Sequence, residues 1–156
     1  MDEKKSGDAS KISLLAACKK YVDQRIDNAR QAIASASEAA SDDTKSSAGD
    51  KFETTREMMQ QELTRHQQLL AEAKRMDQVL ANLDTRVDGG PARLGSLVVT
   101  NHGIFFIAIS IGQLQADGMS YWVISPASPL GQLLIGVKTG EQIVFNGTIY
   151  QITNIA

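Results

Sequence analysis

The amino-acid sequence predicts an α+β protein in which an antiparallel coiled-coil hairpin precedes a small β-rich domain with one short helix. The uneven composition of the chain is the first observation behind this prediction. Residues 1–84 hold 28 of the 34 charged side chains but only two of the twelve glycines and none of the three prolines. Residues 85–156 hold the other ten glycines, all three prolines and six of the eight aromatic side chains. Two segments that differ this much in composition are expected to fold differently.

The second observation is that apolar or small residues recur in steps of three and four along the first segment. This spacing predicts one apolar stripe on each of two long helices, as in a coiled coil. The first stripe comprises Cys18, Val22, Ile26, Ala29, Ile33, Ala36 and Ala40. The second comprises Phe52, Thr55, Met59, Leu63, His66, Leu70, Ala73, Met76, Leu80, Leu83 and Val87. The polar stretch between the stripes favours an antiparallel hairpin over one continuous rod.

The domain organisation follows from these stripes. The predicted parts are a flexible polar tail over residues 1–10, a coiled coil over 11–87 with its tip near 41–50, and a β-rich domain over 88–156. Helices of about 30 residues would make the coil roughly 45 Å long. The boundary lies near Asp84–Pro91, because Gly-Gly-Pro cannot continue a helix.

The second segment contains five short runs rich in β-branched and aromatic residues, and each run predicts a β-strand. These runs are Leu97–Thr100, Ile104–Ile111, Met119–Ile124, Glu141–Phe145 and Thr148–Thr153. Asn146-Gly147 between the last two is a strong signal for a β-hairpin. Ser128 and Pro129 predict the start of a short helix, with Ser128 as its cap and Pro129 at the first helical position.

Charge, hydropathy and cysteine content exclude several classes of protein. The net charge of −2 is too balanced for a nonspecific nucleic-acid binder, and no sequence-specific DNA binding is expected. The longest apolar run, Ile104–Ile109, has six residues, whereas a membrane span needs about 20. The first residues lack the apolar core of a signal peptide. The single cysteine, Cys18, excludes an internal disulfide and a cysteine zinc site. We therefore expect a cytoplasmic protein without a membrane partner.

The sequence contains no catalytic constellation, so we do not expect an enzyme. His66 lies on the second helical stripe and His102 in a predicted turn, where a lone histidine is usually structural or solvated. Cys18 has no neighbouring histidine and is interpreted as a small buried hydrophobe. Asn146 also begins a glycosylation pattern, but the hairpin interpretation is preferred.

Two segments could nevertheless carry a function. The loop Ile124–Gly131 contains two prolines that restrict the backbone and two serines beside apolar residues. On spacing alone, this loop is a strand-to-helix connection with a capping serine. At the predicted tip, Asp42 and Asp43 are adjacent and Asp50 follows. On charge patterning alone, the tip is a solvated turn.

The order of a coiled-coil hairpin and a β-rich domain, together with the residues from Tyr121 to Glu141, resembles the Gre family of bacterial transcription elongation factors. The family pattern reads Ile-Ser-x-x-Ser-Pro-Leu-Gly-x-x-Leu-Leu-Gly-Lys-x-x-Gly-Asp. The matching residues are Ile124, Ser125, Ser128, Pro129, Leu130, Gly131, Leu133 or Leu134, Gly136, Gly140 and Glu141, with one residue between Leu134 and Gly136. The pattern is short, but the architecture accounts for nearly the whole chain.

This resemblance implies an FKBP-like β domain that binds RNA polymerase at the rim of its secondary channel, and a coiled coil that enters the channel. Carboxylates at the tip would help to hold a Mg²⁺ ion of the polymerase active site, which activates water to cleave a backtracked transcript. The chain itself would hold no cofactor. By the resemblance, the polymerase-binding residues are Ser125, Ser128, Pro129, Leu130 and Gly131, and the catalytic tip carboxylates are Asp42 and Asp43.

The tip departs from the family pattern, which reads approximately Asp-Leu-Lys-Glu-Asn-Ala-Glu-Tyr with the first Asp and first Glu as the catalytic pair. Aligning Asp43 with that Asp places Ser46 at the position of the Glu. Aligning Phe52 with the Tyr places Lys45 and Ala48 at the acidic positions. Two versions therefore stay open: a cleavage stimulator that uses the adjacent tip aspartates, and a regulator that occupies the channel without cleavage, which we prefer.

Two other classes of protein are alternatives. The implied fold and the aromatic residues Phe105, Phe106, Tyr121 and Trp122 suggest an FKBP-like prolyl isomerase or chaperone. However, a fold does not confer an activity, and such aromatic side chains more often form a core. A coiled-coil interaction protein would be a dimer or larger, whereas the hairpin predicts a monomer.

Overall fold

A computed structural model describes the backbone of residues 2–45, 50–86 and 89–156, and the side chains of residues 10–39, 55–86 and 89–156. The chain divides into two compact units. One unit comprises residues 1–19 and 78–156, and the other comprises residues 20–77. The observed α+β class and the order of the helical and β parts confirm the prediction from the sequence.

Two long helices form the first part of the chain. Helix α1 is Asp2–Lys45 and helix α2 is Asp50–Ala81, and they form a packed hairpin. The described members of the predicted stripes lie at the less exposed positions, and those that are buried are Cys18, Val22, Ala29, Ala73, Met76 and Leu80. Ala40, Phe52 and Val87 lie outside the described side chains. Residues 46–49, within the predicted tip, lie outside the described residues.

Both ends of the helical part differ from the predicted boundaries. Helix α1 begins at Asp2, so the segment for which the sequence predicts a tail is helical from that residue onward. Once a helix has formed, each added residue gains one backbone hydrogen bond, so a polar segment can extend a packed helix. Helix α2 ends at Ala81, where the Asn82 amide and side chain both donate to the Gln78 carbonyl (3.1 and 3.0 Å).

The β domain has six strands and one short helix. The strands are β1 Leu97–Thr100, β2 Gly103–Ile107, β3 Gly112–Ala116, β4 Met119–Ile124, β5 Gln142–Phe145 and β6 Thr148–Ile155, and helix α3 is Pro129–Leu134. They form one mixed sheet with the order β3-β4-β2-β1-β6-β5. Strands β2 and β4 pair parallel, and the other neighbouring strands pair antiparallel.

The prediction of five strands was wrong by one, because β3 was missed. The predicted strand Ile104–Ile111 ends at Ile107, where the chain leaves β2. Ala108 and Ile109 belong to no strand, but both are buried. Their apolar character reflects this burial, and it suggested a longer strand. Strand β3 then begins at Gly112 and returns to β4 through a hairpin.

Helix α3 lies on one face of the sheet, and the core of the domain lies between them. The buried residues of this core are Ala92, Val98, Phe105, Ile107, Leu134, Val137, Ile152 and Ile155. On the opposite face of the sheet, Leu97, Phe106, Tyr121 and Val123 are also buried. The helical residues Leu14, Cys18 and Leu80, which belong to the same compact unit, are buried as well.

Within the described part of the chain, no helix combines the length and the apolar character that crossing a membrane requires.

Candidate functional site

The loop between β4 and α3 is held in one conformation by a small hydrogen-bond network around Ser128. The Ser128 hydroxyl donates to the carbonyl of Ser125 (2.7 Å) and accepts from the amide of Gly131 (3.0 Å). The Ser128 amide also donates to the Ser125 carbonyl (3.1 Å). Ser128 has extended backbone angles (φ −66°, ψ 156°) and Pro129 follows at the start of α3. The predicted cap and first helical position are therefore confirmed, and the cap satisfies an amide that α3 leaves unpaired.

Gly131 closes this loop because the site has no room for a side chain. A Cβ atom at this position would lie 2.7 Å from the Ser128 hydroxyl oxygen and would collide with the Ser125 carbonyl group. The backbone of α3 therefore approaches the end of β4 more closely than any other residue type would permit. The geometry of the loop itself thus explains the residue types at three matching positions of the motif, which are Ser128, Pro129 and Gly131.

The predicted polymerase-binding residues differ in how far they are open to a partner. Gly131 is buried, and Leu130 is half-buried against the core beneath α3. Ser125 and Ser128 are half-buried and their groups are used inside the loop. Pro129 is exposed. The structure therefore brings the five residues together in one loop and leaves Pro129 as its most accessible member.

The far end of α3 is anchored to the segment that precedes the sheet. The Ala92 amide donates to the Val137 carbonyl (2.8 Å), and the Gly136 amide donates to the Ala92 carbonyl (2.7 Å). Gly136 has a positive φ of 87°, which ends the helix and turns the chain back. Sequence reasoning did not identify Ala92 as a partner of this turn, because the contact joins residues far apart in the chain.

The predicted tip carboxylates fall in a different part of the chain. Asp42 and Asp43 belong to α1, and their side chains lie outside the described ones. Asp50 is the first residue of α2, and its side chain is likewise outside that set. Among the residues that the structure describes, no group of three or more His, Cys, Asp or Glu side chains could hold a metal ion.

The lone cysteine and the two histidines occupy the kinds of position that the sequence predicts. The Cys18 side chain is fully buried, and desolvation raises the pKa of its thiol to about 12. A thiol with this pKa stays protonated near neutral pH and is a poor nucleophile. His102 is exposed and contacts the Tyr150 ring edge-on, with ring centroids 5.2 Å apart. His66 is half-buried on the stripe of α2.

The aromatic residues that suggested an isomerase site do not line an open surface together. Phe105, Phe106 and Tyr121 are buried. Trp122 is the exception, with 41% of its surface exposed, and its indole lies beside Gly103. Three of the four candidates therefore belong to the core, as aromatic side chains usually do.

The chain has limited similarity to known proteins. It is similar to the solved structure of the transcription factor Gfh1, with 17% sequence identity and a TM-score of 0.35. The match covers 89% of this chain and 93% of that chain. At a TM-score this low, the likeness adds nothing to the argument about function. No model of a known protein family matches the chain. No curated protein matches it.

Proposed function

We propose that this chain is a Gre-like regulator of RNA polymerase. Its β domain binds the polymerase through the loop Ser125–Gly131, and its helical hairpin enters the secondary channel. There it modulates elongation or the cleavage of backtracked transcripts. The chain itself catalyses no reaction, because any cleavage uses the active site of the polymerase. It acts in the cytoplasm, where its partner is found.

The preformed geometry of the loop Ser125–Gly131 is the observation that carries this proposal. A loop that is already ordered loses little conformational entropy on binding, which favours affinity. Ser128 and Gly131 hold this loop closed, and Pro129 is exposed beside them. The motif residues thus supply both a rigid frame and an accessible contact, which is what a docking loop needs.

Pro129 provides the direct test of docking. The Pro129→Ala variant is expected to bind RNA polymerase of the source organism roughly tenfold more weakly, a change of about 1.4 kcal/mol. Pro91→Ala is the matched control, because Pro91 is also exposed but lies outside the loop. Binding of the full-length chain would be measured by fluorescence anisotropy. Equal affinity of the wild type and Pro129→Ala would remove the loop from the proposal, and absence of any binding would refute the proposal itself.

The version without cleavage is preferred for the helical tip. Asp42 and Asp43 occupy successive positions of α1, and successive positions of a helix do not share a face. Two carboxylates that help to hold one Mg²⁺ ion must converge on it, and a metal site displaced by about 1 Å already loses activity. We therefore prefer the regulator without cleavage over the stimulator, in which these aspartates would be ligands of a polymerase Mg²⁺ ion.

A transcript-cleavage assay on stalled RNA polymerase distinguishes the two versions. The wild-type chain and the variant Asp42→Asn/Asp43→Asn would be compared at saturating concentrations, so that differences in binding do not enter. A regulator without cleavage is expected to alter elongation equally in both forms and to leave transcript length unchanged. Cleavage by the wild type that the double substitution abolishes would establish the stimulator instead.

A further inference from the structure

We propose that Asn146 is a site of spontaneous deamidation, at which the chain converts its own asparagine to aspartate and isoaspartate without the help of an enzyme. The modification needs only water, and it does not rest on binding to RNA polymerase. Asn146-Gly147-Thr148 also matches a glycosylation pattern, which the proposed function does not use. The surroundings of Asn146 distinguish it from the other four asparagines of the chain.

Deamidation at this position is an intramolecular reaction between neighbouring residues. The backbone nitrogen of Gly147, after losing its proton to hydroxide, attacks Cγ of Asn146, and a bond forms between these two atoms. The bond from Cγ to Nδ2 breaks, and Nδ2 takes a proton from water and leaves as ammonia. The product is a five-membered succinimide ring, which water opens at either of its two carbonyl carbons. Opening at Cγ gives aspartate, and opening at the backbone carbonyl of Asn146 gives isoaspartate.

The turn between β5 and β6 leaves both reacting groups accessible. The two strands close their ladder at the pair Phe145 and Thr148, so the Gly147 amide lies outside the ladder. Asn146 and Gly147 are exposed, and no hydrogen bond to a described residue holds the Asn146 carboxamide. A Cβ atom at Gly147 would have no heavy atom within 4 Å apart from the adjacent residues. Nothing beyond the turn therefore crowds the attacking nitrogen.

The position of this turn allows it to open while the rest of the domain stays folded. Ring closure requires the backbone and side chain of Asn146 to rotate towards the Gly147 nitrogen. Strand β5 has four residues and lies at the edge of the sheet, where its one neighbour is β6. The end of such a hairpin opens at a free energy well below that of global unfolding. Glycine also permits the rotation, because it adopts backbone conformations of either sign of φ.

Asn101 has the opposite surroundings, although it also lies in a turn. Its Oδ1 accepts from the Gln151 amide (2.8 Å), and its Nδ2 donates to the Ile149 carbonyl (3.4 Å). The amide of the following His102 donates to the Thr100 hydroxyl (3.0 Å). Hydrogen bonds therefore hold both the carboxamide that would be attacked and the nitrogen that would attack it.

The other three asparagines lie within or directly after regular secondary structure. Asn28 belongs to α1, and its Oδ1 accepts from Nε2 of Gln24 (3.1 Å). Nδ2 of Asn82 donates to the Gln78 carbonyl (3.0 Å) at the end of α2. Asn154 belongs to β6, which pairs with β1. Backbone hydrogen bonds or a bound carboxamide oppose the rotation that ring closure requires at each of these positions.

The two products have different consequences for the β5–β6 hairpin. Asp117-Gly118 forms the β3–β4 turn with φ angles of 51° and 76°, and Asn146-Gly147 has φ angles of 51° and 77°. Aspartate therefore fits such a turn, and it only adds a negative charge. Isoaspartate directs the backbone through Cβ and Cγ, which adds one carbon atom to a two-residue turn. The lengthened turn no longer matches the twist of its strands, so we expect weaker pairing of β5 with β6.

Incubation of the folded full-length chain at mildly alkaline pH tests the site. Peptide mass spectrometry locates each event, because deamidation raises the mass by one unit, and an enzyme that methylates isoaspartate carboxylates detects that product. The same chain unfolded in guanidinium chloride gives the reference rate for each asparagine. We expect Asn146 to react in the folded chain within about tenfold of its rate in the unfolded chain, because the turn opens locally. The other four asparagines should remain intact over the same period.

Asn146→Gly is the matched control, because a Gly-Gly pair also fits a type I′ turn and has no carboxamide. This variant is expected to form no deamidated species in the folded chain over the same period. If Asn146 stays intact in the folded wild type while it reacts in guanidinium chloride, the fold protects it and the proposal is wrong. Faster reaction at any other asparagine of the folded chain would also overturn the proposal.

The stability of the products tests the effect on the hairpin. The isoaspartate form is separated by ion exchange and compared with the wild type and with Asn146→Asp by urea denaturation, followed by Trp122 fluorescence. Asn146→Asp is expected to keep the midpoint of the wild type, since Asp117-Gly118 forms the same kind of turn. The isoaspartate form is expected to unfold at a lower urea concentration. Equal midpoints for the isoaspartate form and Asn146→Asp would refute the predicted weakening of the hairpin.

Discussion

The helical residues 20–77 and the β domain bury different kinds of side chain. In the described part of the helical unit, the buried apolar residues are Val22, Ala29, Ala73 and Met76, two of which are alanines. The core of the β domain contains Phe105, Ile107, Leu134 and other large residues. Burial of a large aliphatic or aromatic side chain contributes about 1.5–3 kcal/mol, whereas a single methyl group contributes about 0.8 kcal/mol. Alanine allows helices to approach closely, but it adds little to stability.

This difference in the size of the buried side chains indicates what stabilises each region. The β domain depends on a packed core and on a few positions where only one residue type fits. The helical region depends on its continuous backbone hydrogen bonds and on a few large residues within a stripe of small ones. Two probes report the regions separately, because Trp122 is the single tryptophan and lies in the β domain, while far-UV circular dichroism is dominated by the helices.

The largest expected effect is that of Gly131→Ala. The added Cβ would collide with the Ser125 carbonyl group and approach the Ser128 hydroxyl, so the backbone of the loop must move. We expect the free energy of unfolding of the β domain to fall by about 3 kcal/mol, measured by urea denaturation with Trp122 fluorescence.

Gly136→Ala is the matched control for this substitution. Gly136 has open space around its Cα but a φ of 87°, so only backbone strain applies and the loss should be about 1 kcal/mol. Gly131 has no positive φ, so a loss for Gly131→Ala that is no larger than the loss for Gly136→Ala would show that the loop admits the added Cβ at little cost.

A smaller effect is expected for Val22→Ala in the helical region. The Val22 side chain is fully buried, and its loss removes two methyl groups from a stripe with few large residues. The free energy of unfolding should fall by about 1.5 kcal/mol, measured by the far-UV signal while Trp122 fluorescence changes less. Gln31→Ala, at an exposed position of the same helix, should change it by less than about 0.5 kcal/mol. If Val22→Ala cost as much as Gly131→Ala, the helical region would depend on its core as strongly as the β domain does.

Ser128→Ala is expected to cost about 1 kcal/mol. It removes the cap of α3 and the bond to the Ser125 carbonyl together. Urea denaturation followed by Trp122 fluorescence measures the loss, and Ser128→Thr should restore most of it because threonine can also cap a helix. Ser120→Ala, at an exposed position of β4, serves as the control. An unchanged stability of Ser128→Ala would mean that the loop is closed by Gly131 and Pro129 without the hydroxyl.

Near neutral pH the smallest effect is that of Cys18, because it appears only at high pH. Burial raises the pKa of its thiol from 9.0 to about 12, so above pH 9 the unfolded chain loses this proton while the folded chain retains it. The thiol therefore leaves stability unchanged below pH 9 and lowers it as pH rises towards 12, by at most about 1.4 kcal/mol per pH unit. Cys18→Val should remove this slope. A thiol reagent should also react with the native protein at pH 8 far more slowly than with the unfolded chain, and rapid native reaction would contradict the burial.

The residues of the loop between β4 and α3 show which parts of its structure the sequence predicts. Ser128 and Pro129 were predicted as cap and first helical residue because both preferences act within one turn of helix. The steric role of Gly131 was not predicted, since it depends on how closely the end of β4 approaches α3. The half-burial of Leu130 likewise depends on the core beneath the helix.

The sequence does contain a signal that could have predicted β3, the strand that was missed. Asp117-Gly118 joins β3 to β4, and both residues have positive φ angles (51° and 76°). Asn146-Gly147 has the same pattern (51° and 77°) and led to the correct prediction of the β5–β6 hairpin. Asp-Gly is an equally good hairpin dipeptide, but the polar residues Gln113 and Gln115 hid the strand before it.

The sequence by itself determined the local structure of this protein: two helices with an apolar stripe each, most of the strands, one hairpin turn and the cap of α3. These features follow from periods of three to four or two residues and from backbone preferences that act over a few positions. Only the tertiary structure decided the parallel pairing of β2 with β4, the strand order, the end of β2 at Ile107 and the open edge at β5. Each of these depends on which distant segment lies alongside, and that choice is made by burial of the whole domain and not by any local preference.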